Sequence, residues 1–426
     1  MSQDRDLEFS RRILLRMGET GQPPERGALR VNVGTTELLE TLRREYLVTI
    51  RQSGRNSAFK LVQAPFGGGK SQFLHCLREL AWKEGFVTAL VDVSPQECPF
   101  DDPVRVYQAV ATRLEAPPAD LAEEAEIGID ALLRREIRRR KQQDGVEAAR
   151  TWLDEKFGSA RVDSLAVRRA ALLLMRATLD RDEMLDALLT SWLRGEQVSP
   201  GEVREHGIRE QLEPGTAFRF LRSLVQVVRA LELPGVVLLF DELDRVMSLT
   251  GRRRRSIGDT LRAMIDHCGQ ATLPSLLWVY AVPPEFLTTV VPEYPALEQR
   301  LRGAAHFSQS NPLAPVIDLD RLPVKPGELL QQIGARLLEL HITVHGDKLR
   351  TADARGAVEA LAKELSARQL EIGTRRTFVK SCVQLLAELE RSEPRRMDAA
   401  AIRGWLQSGG GTPTVAAVLP GEKPVL

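Results

Sequence analysis

The stretch that decides the fold is APFGGGKS, residues 64–71. It follows the apolar run FKLVQ (residues 59–63) and precedes QFLHCLRELAWKEG (residues 72–85), whose apolar spacing is that of a helix. The phosphate-binding loop pattern is G-x-x-x-x-G-K-[ST], and here Ala64 replaces the first glycine. Alanine is tolerated at that position if the backbone keeps a negative φ. The stretch therefore predicts a strand, a phosphate-binding loop and a helix in succession.

Each part of this loop has its own expected role. Gly67, Gly68 and Gly69 let the backbone turn around phosphate oxygens, so that main-chain N–H groups point inward at a helix N-terminus. Lys70 would reach the β and γ phosphates of ATP, and the Ser71 hydroxyl would bind Mg²⁺. The alternative is a glycine-rich turn that binds nothing, which the flanking strand and helix disfavour. The candidate nucleotide-contacting residues of the loop are Ala64, Pro65, Phe66, Gly67, Gly68, Gly69, Lys70, Ser71 and Gln72.

A second motif, VVLLFDELD (residues 236–244), ends an apolar run with an acidic pair. Asp241 would hold Mg²⁺, and Glu242 would orient and polarise the attacking water. An ordinary strand followed by a solvated acidic turn is the alternative, and the phosphate loop earlier in the chain makes it less favoured. Asp244 is better explained by pairing with a helix N-terminus. The two motifs together predict ATP and Mg²⁺ as cofactors.

Composition limits the classes of protein that fit. The 426 residues are 43% hydrophobic, which is enough for a sizeable core, and 59 Lys and Arg balance 58 Asp and Glu. This balance favours neither a nucleic-acid binder nor a membrane-surface protein, so such contacts need local patches. The four cysteines are scattered along the chain, and no apolar run approaches the roughly 18 residues needed to span a bilayer. The sequence therefore predicts a cytoplasmic protein without a membrane partner.

Apolar runs alternate with helical patterns along the chain, which predicts an α/β fold with a parallel sheet covered on both faces. A long charged segment without a strand signal predicts a helical insertion, and the chain after residue 320 has only helical patterns. The predicted strands are residues 59–63, 87–93, 236–240 and 276–282, with a weaker fifth at 316–319.

The order of motifs resembles that of AAA+ and related additional-strand ATPases, and more narrowly the BrxC/BrxD-type ATP-binding proteins of BREX phage-defence loci. Four stretches carry this resemblance: GETGQPPERGALRVNVGTTELLETLRREYL (18–47), SAFKLVQAPFGGGKSQFLHCLRELAWKEGFVTALVDVSPQECPFDDPVRVYQAV (57–110), GVVLLFDELDRV (235–246) and GTRRTF (373–378). It implies an AAA+-like P-loop NTPase with a parallel sheet, a helical insertion and a C-terminal helical lid domain. It also implies ATP hydrolysis and other defence-system proteins as partners.

Domain boundaries follow from these patterns and the resemblance. The predicted parts are an adenine-covering segment (1–45), two halves of the P-loop core (46–117 and 217–319), the insertion (118–216), the lid domain (320–407) and a disordered tail (408–426).

The resemblance also implies roles for residues outside the two motifs. Val33 and Gly34 would cover the adenine, and Arg376, rather than Arg375, would be the sensor arginine that braces the γ phosphate. A charged helix start is the alternative for Arg376. Tyr280 is the nearest polar residue where a sensor is expected on the fourth strand.

Arg300 and Arg302 follow that strand where an arginine finger often lies, which would make hydrolysis depend on a homo-oligomer. A solvated basic helix end is the alternative.

Two arginine runs are candidates for contact with duplex DNA. Arg252, Arg253, Arg254 and Arg255 form the first, and RREIRRRK (134–141) forms the second. A solvated helix face is the alternative for both runs. His341 and His345 have helical spacing, but the sequence shows no nearby carboxylate and predicts no metal site there.

Two functions follow from these observations. The favoured one is an ATPase in an anti-phage defence complex that acts on or near DNA. The alternative is a nucleotide-gated switch or scaffold with little turnover, which regulates a partner.

Overall fold

The computed structural model describes residues 3–54, 56–94, 98–123, 125–242, 251–270, 272–301, 306–346, 351–367, 373–391 and 397–408; the side chains of residues 3, 251–256 and 269 lie outside this description. The chain divides into two compact units. The first combines residues 1–34 with residues 323–426, and the second contains residues 35–322. The predicted tail beyond residue 408 lies outside the described residues.

A six-stranded sheet forms the centre of the second unit, in the order β3-β2-β4-β5-β1-β6. All neighbouring strands are parallel except β2 and β3, which are antiparallel. The α/β fold with a mostly parallel sheet is thus confirmed, as are the five predicted strands; the two-residue β3 was not predicted. The strands are β1 (Ser57–Gln63), β2 (Val87–Asp92), β3 (Leu114–Glu115), β4 (Val236–Asp241), β5 (Leu276–Val282) and β6 (Val316–Asp318).

Helices make up most of the remaining described chain. Short π-helical turns join α2 to α3 (Arg43–Val48) and follow α7 (Trp152–Phe157). The α-helices are α1 (Gln3–Thr20), α2 (Thr36–Leu42), α3 (Thr49–Ser53), α4 (Lys70–Lys83), α5 (Pro103–Arg113), α6 (Ile129–Asp144), α7 (Val146–Thr151), α8 (Leu165–Asp180), α9 (Glu183–Arg194), α10 (Pro200–Glu205), α11 (Ala217–Ala230), α12 (Gly251–Gly269), α13 (Pro295–Leu301), α14 (Pro326–His345), α15 (Thr351–Ser366), α16 (Thr374–Arg391) and α17 (Ala399–Gln407). Among the described residues, no helix is long and apolar enough to cross a membrane.

Strands β4 and β5 are buried along their whole length, as expected for the centre of a sheet covered on both faces. One face carries an aromatic cluster in which Phe240 stacks on Tyr280 with ring centroids 4.9 Å apart, and Phe100 meets Tyr280 edge-on at 5.1 Å. Apolar burial of this kind is the main favourable contribution to folding.

A charged side chain lies inside the sheet at Lys60 of β1, which is 2% exposed. Its ammonium donates to the carbonyl oxygens of Pro312 (3.1 Å) and Ala314 (2.7 Å). It also lies 4.4 Å from the ring centre of Tyr46 and 5.0 Å from that of Phe307. Burial lowers the pKa of Lys60 to about 7.

Four of the five arginines of the insertion helix α6 are engaged in ion pairs within the second unit. Arg134 pairs with Asp130 and Asp186, and Arg139 pairs with Glu136. Arg138 pairs with Glu126 at 3.7 Å.

Arg140 joins α6 to the turn that follows α11. Its guanidinium lies 2.8 Å from a carboxylate oxygen of Glu232 and 3.2 Å from one of Glu136. Its carbon centre lies 3.7 Å from the ring centre of Trp152. These contacts favour a structural role for Arg134 and Arg140 over phosphate binding.

Candidate nucleotide-binding site

The glycine-rich loop lies between the end of β1 and the first residue of α4. Ala64 is fully buried, and its N–H donates to the carbonyl oxygen of Val282 on β5 (3.3 Å). The φ angle of Ala64 is not positive, which is the condition under which alanine was expected to replace glycine at this position. Gly67 and Gly69 do adopt positive φ, at 75° and 97°, which a residue with a side chain rarely does. Ala64 is therefore compatible with this turn.

Close packing inside the loop explains its small residues. The Gly68 N–H donates to the carbonyl oxygen of Pro65 (2.9 Å). A Cβ added at Gly68 would lie 2.7 Å from the Cβ of Ala64 and 2.9 Å from that carbonyl oxygen. By contrast, Phe66 is 57% exposed. Gln72, on the first turn of α4, donates its side-chain amide to the Cys76 sulfur (3.3 Å).

Lys70 begins α4 and directs its ammonium back across the loop. The side chain is largely buried, and its Nζ donates to the carbonyl oxygens of Ala64 (2.9 Å) and Pro65 (3.3 Å). The ammonium thus lies beside the same turn whose N–H groups would meet phosphate oxygens. A charge held here by backbone carbonyls complements an anion with several negative oxygens.

The acidic end of β4 faces the start of α4. Asp241 is 7% exposed, and the Ser71 hydroxyl hydrogen-bonds to its carboxylate. One of its carboxylate oxygens also accepts from the Glu242 backbone N–H at 2.8 Å. Burial raises the pKa of Asp241, and this effect is opposed by the bonds from Ser71 and Glu242 and by the charge of Lys70. The hydroxyl and the carboxylate that were predicted to hold Mg²⁺ are therefore adjacent.

A second carboxylate at this edge was missed by the sequence analysis. Asp92 ends β2, which pairs with β4, and it lies directly opposite Asp241 in the strand register. Its charge further raises the pKa of Asp241. Unlike Asp241, it is exposed. The sequence does show Asp92, as the aspartate of VDVSP at the end of a predicted strand. It does not show that Asp92 lies beside Asp241, because this depends on the order of the strands in the sheet.

Glu242 has an unusual backbone conformation, with φ at 61°. Left-handed conformations are uncommon for residues other than glycine, and they cluster at functional sites where the surroundings hold them. Its side chain is half-buried beyond the end of β4. The turn thus places a second carboxyl group immediately after the buried Asp241.

Some predicted residues of the second unit have local partners. Tyr280 lies wholly inside the aromatic cluster, where burial raises its pKa, so its surroundings are those of a core residue. Arg300 on α13 donates to a carboxylate oxygen of Asp266 on α12 at 3.0 Å, and to the Ala296 carbonyl at 2.6 Å. Arg302 lies outside the described residues. The backbone of Arg252, Arg253, Arg254 and Arg255 begins α12, but their side chains are outside the description.

The remaining predicted residues belong to the first unit. Val33 and Gly34 are half-buried after a 3₁₀ turn, and Gly34 has a φ of 77°. Arg376 lies in the first turn of α16. A Cβ added at Gly21 would lie 2.5 Å from the Arg376 Cγ, so this arginine packs against the end of α1. The predicted roles of these three residues stay predictions.

A glycine-rich loop that joins a parallel strand to a helix N-terminus, beside a buried carboxylate on a nearby strand, is the arrangement of P-loop nucleotide-binding proteins. The chain belongs to the family described as BREX system ATP-binding protein BrxC/D, whose model matches residues 9–401. The resemblance found in the sequence is thereby confirmed, and membership supports an ATP-binding role in phage defence, together with other proteins of that system. A comparison with curated proteins gave no significant match.

Proposed function

We propose that this chain binds Mg-ATP at the edge formed by the loop, the start of α4 and the end of β4, and that it hydrolyses the nucleotide. The single observation that carries this proposal is the convergence of Lys70, Ser71 and Asp241. The Ser71 hydroxyl is hydrogen-bonded to the buried Asp241 carboxylate, and the charge of Lys70 is close enough to lower the pKa of that carboxyl. A cation, a hydroxyl and a carboxylate then meet beside a turn of backbone N–H groups.

Each side chain has a defined task in this proposal. The loop N–H groups and Lys70 bind the phosphates, with the ammonium exchanging its two carbonyl partners for phosphate oxygens. Ser71 and Asp241 offer hard oxygen ligands that fit Mg²⁺, and the exposed Asp92 is placed to accept from its water shell. When bound, Mg²⁺ neutralises charge on the phosphates. Glu242 orients the attacking water.

The strand order supports an ATPase of the additional-strand class, which includes AAA+ proteins. Strand β5 lies between β1, which leads into the loop, and β4, which ends in the acidic pair. In the same proposal, Val33 and Gly34 cover the adenine and Arg376 senses the γ phosphate. Arg300 or Arg302 would act as a finger in a homo-oligomer; for Arg300 this requires release from Asp266. Arg252, Arg253, Arg254 and Arg255 would contact duplex DNA in the cytoplasm.

One experiment tests binding and hydrolysis separately. Affinity for a fluorescent ATP analogue and steady-state ATP hydrolysis are measured for the wild type, Lys70→Ala and Glu242→Gln, at several protein concentrations with and without duplex DNA. Lys83→Ala, an exposed lysine on the same helix, is the matched control. We expect Lys70→Ala to lose binding, and Glu242→Gln to bind but lose turnover. Wild-type turnover no faster than that of Glu242→Gln in every condition would exclude the ATPase.

Two observations favour a switch as the second candidate function. Tyr280, at the expected sensor position, is enclosed in the core, and Arg300 is engaged by Asp266. If Tyr280 and Arg300 keep these surroundings when nucleotide binds, neither reaches the γ phosphate, and turnover would be slow unless another arginine or a partner supplied the charge. Tight nucleotide binding together with turnover that neither DNA nor protein concentration accelerates would support this function.

A further inference from the structure

Two histidines and a glutamate meet in the first unit, far along the chain from the phosphate loop. His341 and His345 lie one turn apart on α14, and their rings stack with centroids 4.4 Å apart. Glu390 on α16 places one carboxylate oxygen 3.2 Å from Nε2 of His341 and 3.2 Å from Nδ1 of His345. The expectation that no carboxylate lies near this pair is therefore wrong, since α16 supplies one from 49 residues away.

The three groups have the chemistry and the spacing of zinc ligands. One ligand atom from each lies within 4.8 Å of the other two. Zinc binds imidazole nitrogen and carboxylate oxygen at about 2.0–2.2 Å in tetrahedral sites, which sets neighbouring ligand atoms about 3.3 Å apart. The two 3.2 Å separations match this spacing. Because the rings are stacked and an imidazole binds a metal in its ring plane, each ring would rotate about its side-chain bonds to turn its nitrogen toward a shared ion.

The exposure of the cluster also suits a metal ion. His345 ends α14, where the helix dipole favours a cation, and its side chain is 35% exposed, which leaves a path for the ion and a water ligand.

One feature of the site limits its affinity. The Nδ1 of His341 is buried without a hydrogen-bond partner among the described residues. When Nε2 binds a metal, Nδ1 carries the proton and needs an acceptor, and sites that lack this outer partner bind metal about 10–100-fold more weakly. Binding should therefore be weaker than at a fully supported three-ligand site.

We propose that His341, His345 and Glu390 form a zinc site, with water as the fourth ligand, that links the end of α14 to α16. The ion would take the place of the shared carboxylate oxygen as the common partner of the two rings. The zinc site is independent of the nucleotide site, which lies in the other unit and uses none of these residues.

The test uses the full chain, stripped of metal by a chelator that is then removed. Zn²⁺ is titrated in competition with a chromophoric chelator, and Co²⁺ is used as a spectroscopic probe whose visible absorption reports tetrahedral coordination. The wild type is compared with His345→Asn and Glu390→Gln, which change the two more exposed ligands. Glu339→Gln, an exposed carboxylate on α14, is the matched control, and circular dichroism checks folding of each protein.

We expect one equivalent of Zn²⁺ in the wild type and the control, and at least about 10-fold weaker binding in both ligand variants. The Co²⁺ absorption should disappear with the same variants. Equal binding in all four proteins, no stoichiometric binding in the wild type, or loss in only one of the two ligand variants would overturn the three-ligand site. The readouts do not depend on ATP binding or hydrolysis.

Discussion

The buried Lys60 makes the stability of the second unit depend on pH in a specific direction. Its pKa is lowered to about 7 by burial, from an ordinary value of 10.5. Below pH 7 the side chain is charged in both the folded and the unfolded state, so the full cost of burying the ammonium is present. Above pH 7 the folded state sheds the proton first, because its pKa is lower. Stability must therefore rise from pH 7 towards pH 10.5.

The perturbation is Lys60→Met, which removes the titrating group and keeps an apolar side chain of similar length. From the two pKa values, the wild type should gain about 3 kcal/mol relative to the variant between pH 6.5 and pH 9.5. The carbonyl oxygens of Pro312 and Ala314 and two aromatic rings favour the charged form and make this an upper bound.

The assay is urea unfolding followed by tryptophan fluorescence at several pH values. Four of the five tryptophans lie in the second unit and Trp405 lies in the first, so the signal reports mainly on unfolding of the second unit; the four are Trp82, Trp152, Trp192 and Trp278. The control is Lys83→Met, an exposed lysine of the same unit, whose stability should stay parallel to the wild type. A constant difference between wild type and Lys60→Met across the range would refute the reasoning, because it would mean that the buried ammonium keeps its proton.

Three further substitutions test other contacts. Gly68→Ala puts a Cβ 2.7 Å from the first alanine of the loop and 2.9 Å from a backbone oxygen, so affinity for a fluorescent ATP analogue should fall at least about tenfold, equivalent to 1.4 kcal/mol; an unchanged affinity would contradict the packing argument. Asp92→Asn removes the charge that raises the pKa of Asp241, so the acid limb of Mg²⁺-dependent nucleotide binding should move to lower pH; no movement would show that the two carboxylates are uncoupled. Arg140→Met removes a guanidinium that stacks on Trp152 and pairs with Glu232 and Glu136; because Glu136 keeps Arg139, the free energy of unfolding should fall by about 2 kcal/mol, measured by urea unfolding. Arg138→Met, which breaks an exposed pair, is its control and should change stability by less than about 1 kcal/mol.

Local sequence patterns predicted the elements of the sheet because each buried strand is a continuous apolar run. They also placed the loop and the acidic pair at strand ends, where the structure has them. They did not predict β3, since two residues carry no periodicity. They also did not give the order of the strands, which is set by packing between distant segments. Asp92 was missed for that reason, because it meets Asp241 only when β2 and β4 are neighbours.

The sequence patterns also could not identify side-chain partners that are contributed by helices distant in the sequence. The histidine pair on α14 was visible in the sequence, whereas Glu390 depends on how α16 packs against α14. The partners of Arg134 and Arg140 likewise include Asp186 and Glu232, which are 52 and 92 residues away. A run of charges in the sequence therefore shows where basic residues are, whereas tertiary packing decides whether their side chains remain available to bind a ligand.

Tertiary packing limits which arginines of α6 could contact DNA. Binding to phosphates requires arginines that can exchange their present partners for the nucleic acid and release counterions. In α6, Arg134 would first have to leave two carboxylates, one of them the buried Asp130, and Arg140 would have to leave a stacked ring as well. Asp130 would keep Arg194 as a partner at 2.8 Å, but the exchange would still break charge-assisted hydrogen bonds, each worth about 1.5–3 kcal/mol. Arg134 and Arg140 therefore stabilise the packing of α6 and are poor candidates for phosphate contact, whereas Arg135 on the same helix is exposed to solvent.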